Sequence, residues 1–153
     1  MSQRIARQVI DWYMEQQRDL PWRRTRDPYA IWISEVMLQQ TQVSTVIPYY
    51  ERFLRKFPDI SVLAKKRLQE VLKVWENLGY YSRARNIHEA AREIVRRHKG
   101  RIPDSIEELR ALPGIGPYIA SAILCFAFGR QVPTVEANVN RVVCRVFGIR
   151  TPL

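Results

Sequence analysis

Two carboxylates stand out by their surroundings. Glu35 lies in Trp32-Ile33-Ser34-Glu35-Val36-Met37-Leu38-Gln39-Gln40-Thr41, where most neighbours are apolar or uncharged. Partial desolvation there favours the protonated carboxyl, which suits a general acid. The plainer reading is a surface glutamate in an early helical turn. Glu136 lies in Pro133-Thr134-Val135-Glu136-Ala137-Asn138, where a helix begins and Asn138 is near enough to orient it. Its plainer reading is a carboxylate that complements the positive end of the helix. Local sequence leaves both alternatives open at both sites. Two cysteines, Cys125 and Cys144, exclude a four-thiolate metal site and a disulfide-rich secreted fold. Both lie in apolar stretches, read as small core residues, and point to a reducing, intracellular setting.

Leu112-Pro113-Gly114-Ile115-Gly116 reads as a tight turn between two helices. Its two glycines allow unusual backbone angles and close approach to another surface. Pro117 suits the first turn of the second helix. The free N–H groups at that helix start would then face outward as a phosphate site. The motif resembles the helix-hairpin-helix of DNA-binding proteins, which grips a strand by its phosphates and reads no sequence. An ordinary helix–helix turn is the plainer alternative.

The charge agrees with a polyanionic partner. The 153 residues carry 25 Lys+Arg and 15 Asp+Glu, a net charge of +10. The basic residues recur in clusters along the chain: Arg23-Arg24-Arg26, Arg52-Arg55-Lys56, Lys65-Lys66-Arg67, Arg83-Arg85 and Arg96-Arg97-Lys99-Arg101. Each cluster could be a solvated helix face; together they favour a folded nucleic-acid-binding surface. With 46% hydrophobic and 26% charged residues, the composition is that of a soluble globular chain. The nearly uncharged stretch 118–129 is too short to span a bilayer, and charges at Arg4, Arg7, Asp11 and Glu15 exclude a signal peptide. No helix pairs a basic face with a broad aromatic one, which disfavours a membrane-surface role.

The elements that must position these residues read as helices throughout, an all-α class with short connections. Periodicity and stop signals predict helices over 3–17, 29–42, 49–57, 68–77, 82–98, 117–128 and 136–147. Pro48 is expected in the first turn of its helix, and Ser105 with Glu108 reads as a capping box. The helix over 117–128, made of small and large apolar residues, is expected to be central.

Taken in order, several segments resemble the helix-hairpin-helix base-excision glycosylases, the superfamily of endonuclease III, and within it the adenine DNA glycosylases of the MutY type. They are Leu-Pro-Trp-Arg (20–23), Asp-Pro-Tyr (27–29), Ser-Glu-Val-Met-Leu-Gln-Gln-Thr-Gln-Val (34–43), Ile-Pro-Tyr-Tyr (47–50), Leu-Gly-Tyr-Tyr-Ser-Arg-Ala-Arg-Asn (78–86), Leu-Pro-Gly-Ile-Gly (112–116) and Glu-Ala-Asn-Val-Asn-Arg-Val (136–142). The resemblance implies double-stranded DNA as partner and hydrolytic removal of adenine mispaired with 8-oxoguanine or guanine, after the base is flipped into a pocket. It implies that Glu35 protonates the purine and later helps activate water, while Glu136, with Asn138 beside it, stabilises the oxocarbenium-like sugar. Trp22, Arg23 and Leu38 match the adenine pocket. Gln40 and Tyr80 match residues that wedge into the duplex, and Thr41 and Leu78 match residues near the 8-oxoguanine. Leu112, Gly114, Ile115 and Gly116 match the hairpin that binds the backbone. Bifunctional relatives carry a Schiff-base lysine just after the hairpin turn; Tyr118 stands there, which implies a monofunctional hydrolase. Tyrosine at that site also occurs in T:G mismatch glycosylases, so thymine removal is the alternative activity.

The chain departs from the family pattern in two ways. The family's second carboxylate is usually aspartate, and Glu136 is one methylene longer. The sequence stops soon after that helix, where the family continues with more helices and a four-cysteine iron–sulfur cluster; those cysteines are absent here. The expected organisation is an N-terminal segment (1–24), a helical domain (25–133) with the hairpin near 108–128, and the start of a second subdomain (134–153). Residues 1–24 and 134–153 are expected to form one discontinuous subdomain whose apolar side is exposed and could support self-association. A non-catalytic DNA-binding module is the remaining alternative, and the expected location is cytoplasmic or on the nucleoid.

Overall fold

The computed structural model describes residues 2–150, and among them every regular element is helical. The helices are α1 (Ser2–Gln16), α2 (Pro28–Leu38), α3 (Val43–Lys56), α4 (Ile60–Lys65), α5 (Leu68–Val74), α6 (Tyr81–His98), α7 (Ile106–Arg110), α8 (Pro117–Phe126) and α9 (Ala137–Phe147). A single 3-10 turn, Pro21–Arg23, joins α1 to the bundle. Helix α2 packs against α3 and α8, α6 against α4 and α5, and α7 against α8. Trp32, Phe53, Phe57, Trp75, Ile87 and Ile123 fill the core between them.

Local signals set most of the starts. Asp27 caps α2 by accepting the Tyr29 N–H at 3.0 Å, and Pro28 takes the first helical position. Asp59 caps α4 in the same way through Val62 N–H at 2.8 Å. Ser105 accepts the Glu108 N–H at 3.4 Å, and its hydroxyl donates to Glu107 at 2.7 Å. The capping box is thus half built, with Glu107 instead of Glu108 as the acidic partner.

Three expectations are corrected. The helix predicted over 29–42 ends at Leu38, because Gln40 turns into the left-handed region at φ 54. The helix predicted from 49 begins at Val43, so Pro48 lies inside α3 and not in its first turn. Its missing N–H forfeits one ladder bond there. Helix α4 was not anticipated; six residues carry too little periodicity to be seen.

α8 is central as expected, with Ile119, Ala120, Ala122, Ile123 and Leu124 buried. The ends of the chain differ from that. No described side chain of α1 is buried and none of α9 is. Val9, Ile10, Trp12 and Met14 on α1, and Val142, Val146 and Phe147 on α9, face outward. The two cysteines are only partly buried, so neither is the core residue that its apolar context suggested. No helix among the described residues is long and apolar enough to cross a membrane.

Candidate active site

The cleft between the bundle and the chain ends collects most of the residues singled out above. It is open, about 1700 Å³, and is lined among others by Trp22, Arg23, Glu35, Leu38, Gln40, Thr41, Tyr80, Tyr118, Glu136 and Asn138. Those residues come from five separate stretches of chain, and only the tertiary arrangement brings them to one place. Leu78, Leu112, Gly114, Ile115 and Gly116 lie outside this lining.

Glu35 sits on α2 with 8% of its surface exposed. Burial raises its pKa above the ordinary glutamate value, and the neighbouring Tyr118 hydroxyl opposes part of that rise. Tyr118, on the first turn of α8, is pushed up in turn, first by its own burial and then by the charges of Glu35 and Glu136. Its phenol therefore lies within electrostatic reach of both carboxylates and stays protonated. No lysine lines the cleft.

Glu136 is the N-cap of α9. One carboxylate oxygen accepts the Val139 N–H at 3.1 Å, and the other accepts from Asn138 Nδ2 at 3.2 Å. Glu136 thus complements a helix start and also lines the cleft. Asn138 is held in turn by Arg141, at 3.4 Å.

Trp22 is buried, stacks edge-on against Tyr50 at 5.4 Å, and forms part of the cleft wall. Arg23 is exposed, donates to the Arg18 carbonyl at 2.9 Å and lies over the Tyr13 ring. Arg18 and Arg26 line the same cleft, so its N-terminal rim is positive. Gln40 and Tyr80 are both exposed and both left-handed, at φ 54 and φ 48. Two such non-glycine residues on one cleft are a strained pair that the fold must hold in place.

The hairpin stands beside the cleft. Leu112 and Ile115 are buried and anchor it, whereas Gly114 and Gly116 present exposed backbone. Gly114 has φ +73, and a Cβ there would stand 2.6 Å from Asn86 Cβ. Glycine is thus required twice over, by angle and by the contact with α6. Pro117 opens α8 and lines the cleft, and no side chain caps this helix start. Its first N–H groups remain available for an anion.

One residue departs from its sequence reading. Arg83, read as part of a basic surface cluster, is 8% exposed and points into the fold. Its guanidinium donates to six oxygens and meets no carboxylate among the described residues. The helical register held the signal: Arg83 lies four residues before Ile87 and seven before Ala90 on the apolar face of α6, whereas Arg85 falls with exposed Glu89 and Arg92. Two buried donors, Trp32 Nε1 and Arg83 Nε, lack a protein partner, and both side chains border a cavity of about 20 Å³, room for one water molecule.

An iron–sulfur cluster needs four thiolates. This sequence has two, on different helices, and no three His, Cys, Asp or Glu side chains converge among the described residues. The residues of this chain cannot hold such a cluster by themselves.

Comparison with known proteins agrees with the geometry. Residues 33–152 match the model of the HhH-GPD superfamily of base excision DNA repair proteins. The chain is 47% identical over 154 residues to the adenine DNA glycosylase of Rattus norvegicus, which covers 95% of this chain and 30% of that protein. It therefore spans under a third of that relative's length. A thermostable thymine-DNA glycosylase structure superposes with TM-score 0.83 at 34% identity, over 88% of this chain and 63% of that one. An endonuclease III trapped as a covalent DNA intermediate superposes with TM-score 0.84 over 98% of this chain and 71% of that one; at 24% identity it bears on the fold alone.

Proposed function

Because the chain belongs to the HhH-GPD superfamily of base excision DNA repair proteins, we propose that its cleft removes adenine mispaired with 8-oxoguanine or guanine, by hydrolysis. The observation that carries this is the buried Glu35 facing the same cleft as Glu136, with the Tyr118 phenol near both. The chemistry follows from their environments. A neutral Glu35 donates its proton to the flipped adenine, which makes the base a better leaving group. The N-glycosidic electrons depart with the base, and positive charge develops on the sugar. The Glu136 carboxylate, oriented by its bonds to Val139 N–H and Asn138, stabilises that charge. Glu35, now a carboxylate, takes a proton from water as the hydroxyl adds to the sugar. With Tyr118 where a lysine would stand, no Schiff base forms and the strand is not cut.

Trp22, Arg23 and Leu38 form the base pocket in this reading. Gln40 and Tyr80 enter the duplex, and Thr41 lies near the opposing base, with buried Leu78 shaping that turn. The hairpin's exposed Gly114 and Gly116 backbone, anchored by Leu112 and Ile115, takes the phosphates. The domain division at about residues 24 and 133, self-association through α1 and α9, and action on the cell's own DNA belong to the same proposal.

Single-turnover base release on four duplexes tests it: A opposite 8-oxoguanine, A opposite G, T opposite G, and A opposite T. Alkali then cuts any abasic site. Release from the first above the last supports the adenine reading. Release only from T opposite G would transfer the chain to the activity of the thymine-DNA glycosylase that it superposes on. Binding without release from any duplex would leave a DNA-binding module without chemistry.

A further inference from the structure

The two left-handed residues at the cleft, Gln40 and Tyr80, lie in turns 40 residues apart in sequence. Neither turn has a glycine at the left-handed position, and Tyr80 makes no side-chain cap bond to α6. Trp75 Nε1 donates to the Gly79 carbonyl at 3.0 Å and Thr41 Oγ1 to the Gln39 carbonyl at 3.2 Å, each within one turn, whereas Arg83 bridges the two. Arg83 Nη1 donates to the carbonyls of Val36, Met37 and Gln39 at 2.9, 2.9 and 2.7 Å. Arg83 Nη2 donates to Thr41 Oγ1 at 3.3 Å and to the carbonyls of Leu78 and Gly79 at 3.4 and 3.3 Å. The guanidinium also lies 5.4 Å from the centres of the Trp75 and Tyr80 rings.

The physical logic is that of a buried fork. Among the described residues no carboxylate balances the charge, and the carbonyl dipoles at the C-terminal end of α2 take that part. That end carries Glu35, one residue before the first carbonyl contact at Val36. A planar guanidinium can serve two walls at once, because its nitrogens diverge in fixed directions. Three residues further along α6, Asn86 meets Gly114 of the hairpin, so the same helix seats the third element at the DNA-facing side.

From this geometry we infer that Arg83 is a positioning residue, which locks the Gln40 and Tyr80 turns in the conformation that enters the duplex. It touches neither DNA nor the reacting atoms and acts through the two turns. The inference rests on the reading that these turns meet DNA at the lesion. It goes beyond the assignment of Gln40 and Tyr80, since it names what sets their strained backbones.

The test separates this role from the chemistry. Binding is measured by fluorescence anisotropy to a matched duplex and to one with a tetrahydrofuran abasic analogue opposite guanine, which cannot react. Arg83→Lys keeps the charge and loses the fork. It is expected to lose about tenfold of the wild-type preference for the abasic duplex, while matched-duplex affinity stays within twofold. In a Gln40→Ala, Tyr80→Ala background, Arg83→Lys should change the preference no further, since the side chains it positions are gone. Equal loss on both duplexes, an additive loss in that background, or no preference in the wild type would overturn the inference. Amide hydrogen exchange supplies a readout without DNA. The expected loss of protection in Arg83→Lys is confined to residues 38–42 and 78–81, with α4 and the rest of α6 unchanged. Protection lost throughout, or a variant that does not fold, would assign Arg83 to global stability and sink the proposal. Adenine release assayed in parallel keeps the two readings apart. Preference lost in Arg83→Lys while the wild type releases no adenine would defeat the enzymatic reading alone.

Discussion

At the scale of single residues, the central quantity is the protonation state of Glu35. Burial raises its pKa, so the folded chain holds that proton more tightly than the unfolded chain does. The stability from this linkage is fully present below the ordinary glutamate range and is lost as pH rises through the raised folded value. Glu35→Gln removes the cost of a buried charge. It should raise the melting temperature relative to wild type at neutral pH, and thermal unfolding across a pH series should show that gain vanishing in acid. The same substitution should lower base release on the order of 10²–10⁴-fold, with DNA affinity within twofold. Equal melting curves at all pH values would mean that Glu35 carries no such shift. Glu136 offers a second contrast. Glu136→Gln keeps an oxygen for the Val139 N–H and loses the charge. Far-UV circular dichroism should stay unchanged while release falls on the order of 10²–10³-fold.

At the scale of elements, the hairpin and the end of α2 show how a turn is specified. Gly114 carries its own explanation, since its φ of +73 and its 2.6 Å approach to Asn86 both exclude a side chain. Gly114→Ala is expected to destabilise the fold by more than about 1 kcal/mol and to weaken binding to any duplex, matched or not. Calorimetry and anisotropy check the two effects; unchanged binding would show that the hairpin backbone does not grip DNA. The turn after α2 is different. Residues 39–42 include no glycine or proline, yet the helix stops at Leu38. There the last carbonyls of α2 are met by the Arg83 guanidinium, a contact that spans 47 residues of sequence for Val36.

At the scale of the whole molecule, the bundle is well buried and its two ends are not. Val142 is 56% exposed and Val146 57%, on a helix with no buried residue. Contiguous apolar surface of this kind favours association. The 153-residue chain is expected to sediment as a concentration-dependent oligomer, and Val142→Gln with Val146→Gln should shift it toward monomer. Monomer at every concentration in the unsubstituted chain would show that these faces are tolerated in water.

The sequence by itself determined whatever depends on near neighbours along the chain. Asp27, Asp59 and Ser105 cap helices within three residues of themselves, so those starts were legible or could have been read. The hairpin's glycines, the apolar setting of Glu35 and the helix-start setting of Glu136 are local in the same sense. Tertiary structure alone decided which charged groups leave water. The helical period places Arg83 on the apolar face of α6 with Ile87 and Ala90, but a guanidinium can stay there only because carbonyls from two distant turns replace its hydration. On α1 and α9, amphipathic by pattern, apolar side chains lie outward, since a helix buries its apolar face only where another element is placed to receive it. The convergence of Glu35, Tyr118 and Glu136 has the same origin. Each is an ordinary residue on its own helix, and only the packing of α2 and α8 and the position of the α9 cap put one phenol within reach of two carboxylates.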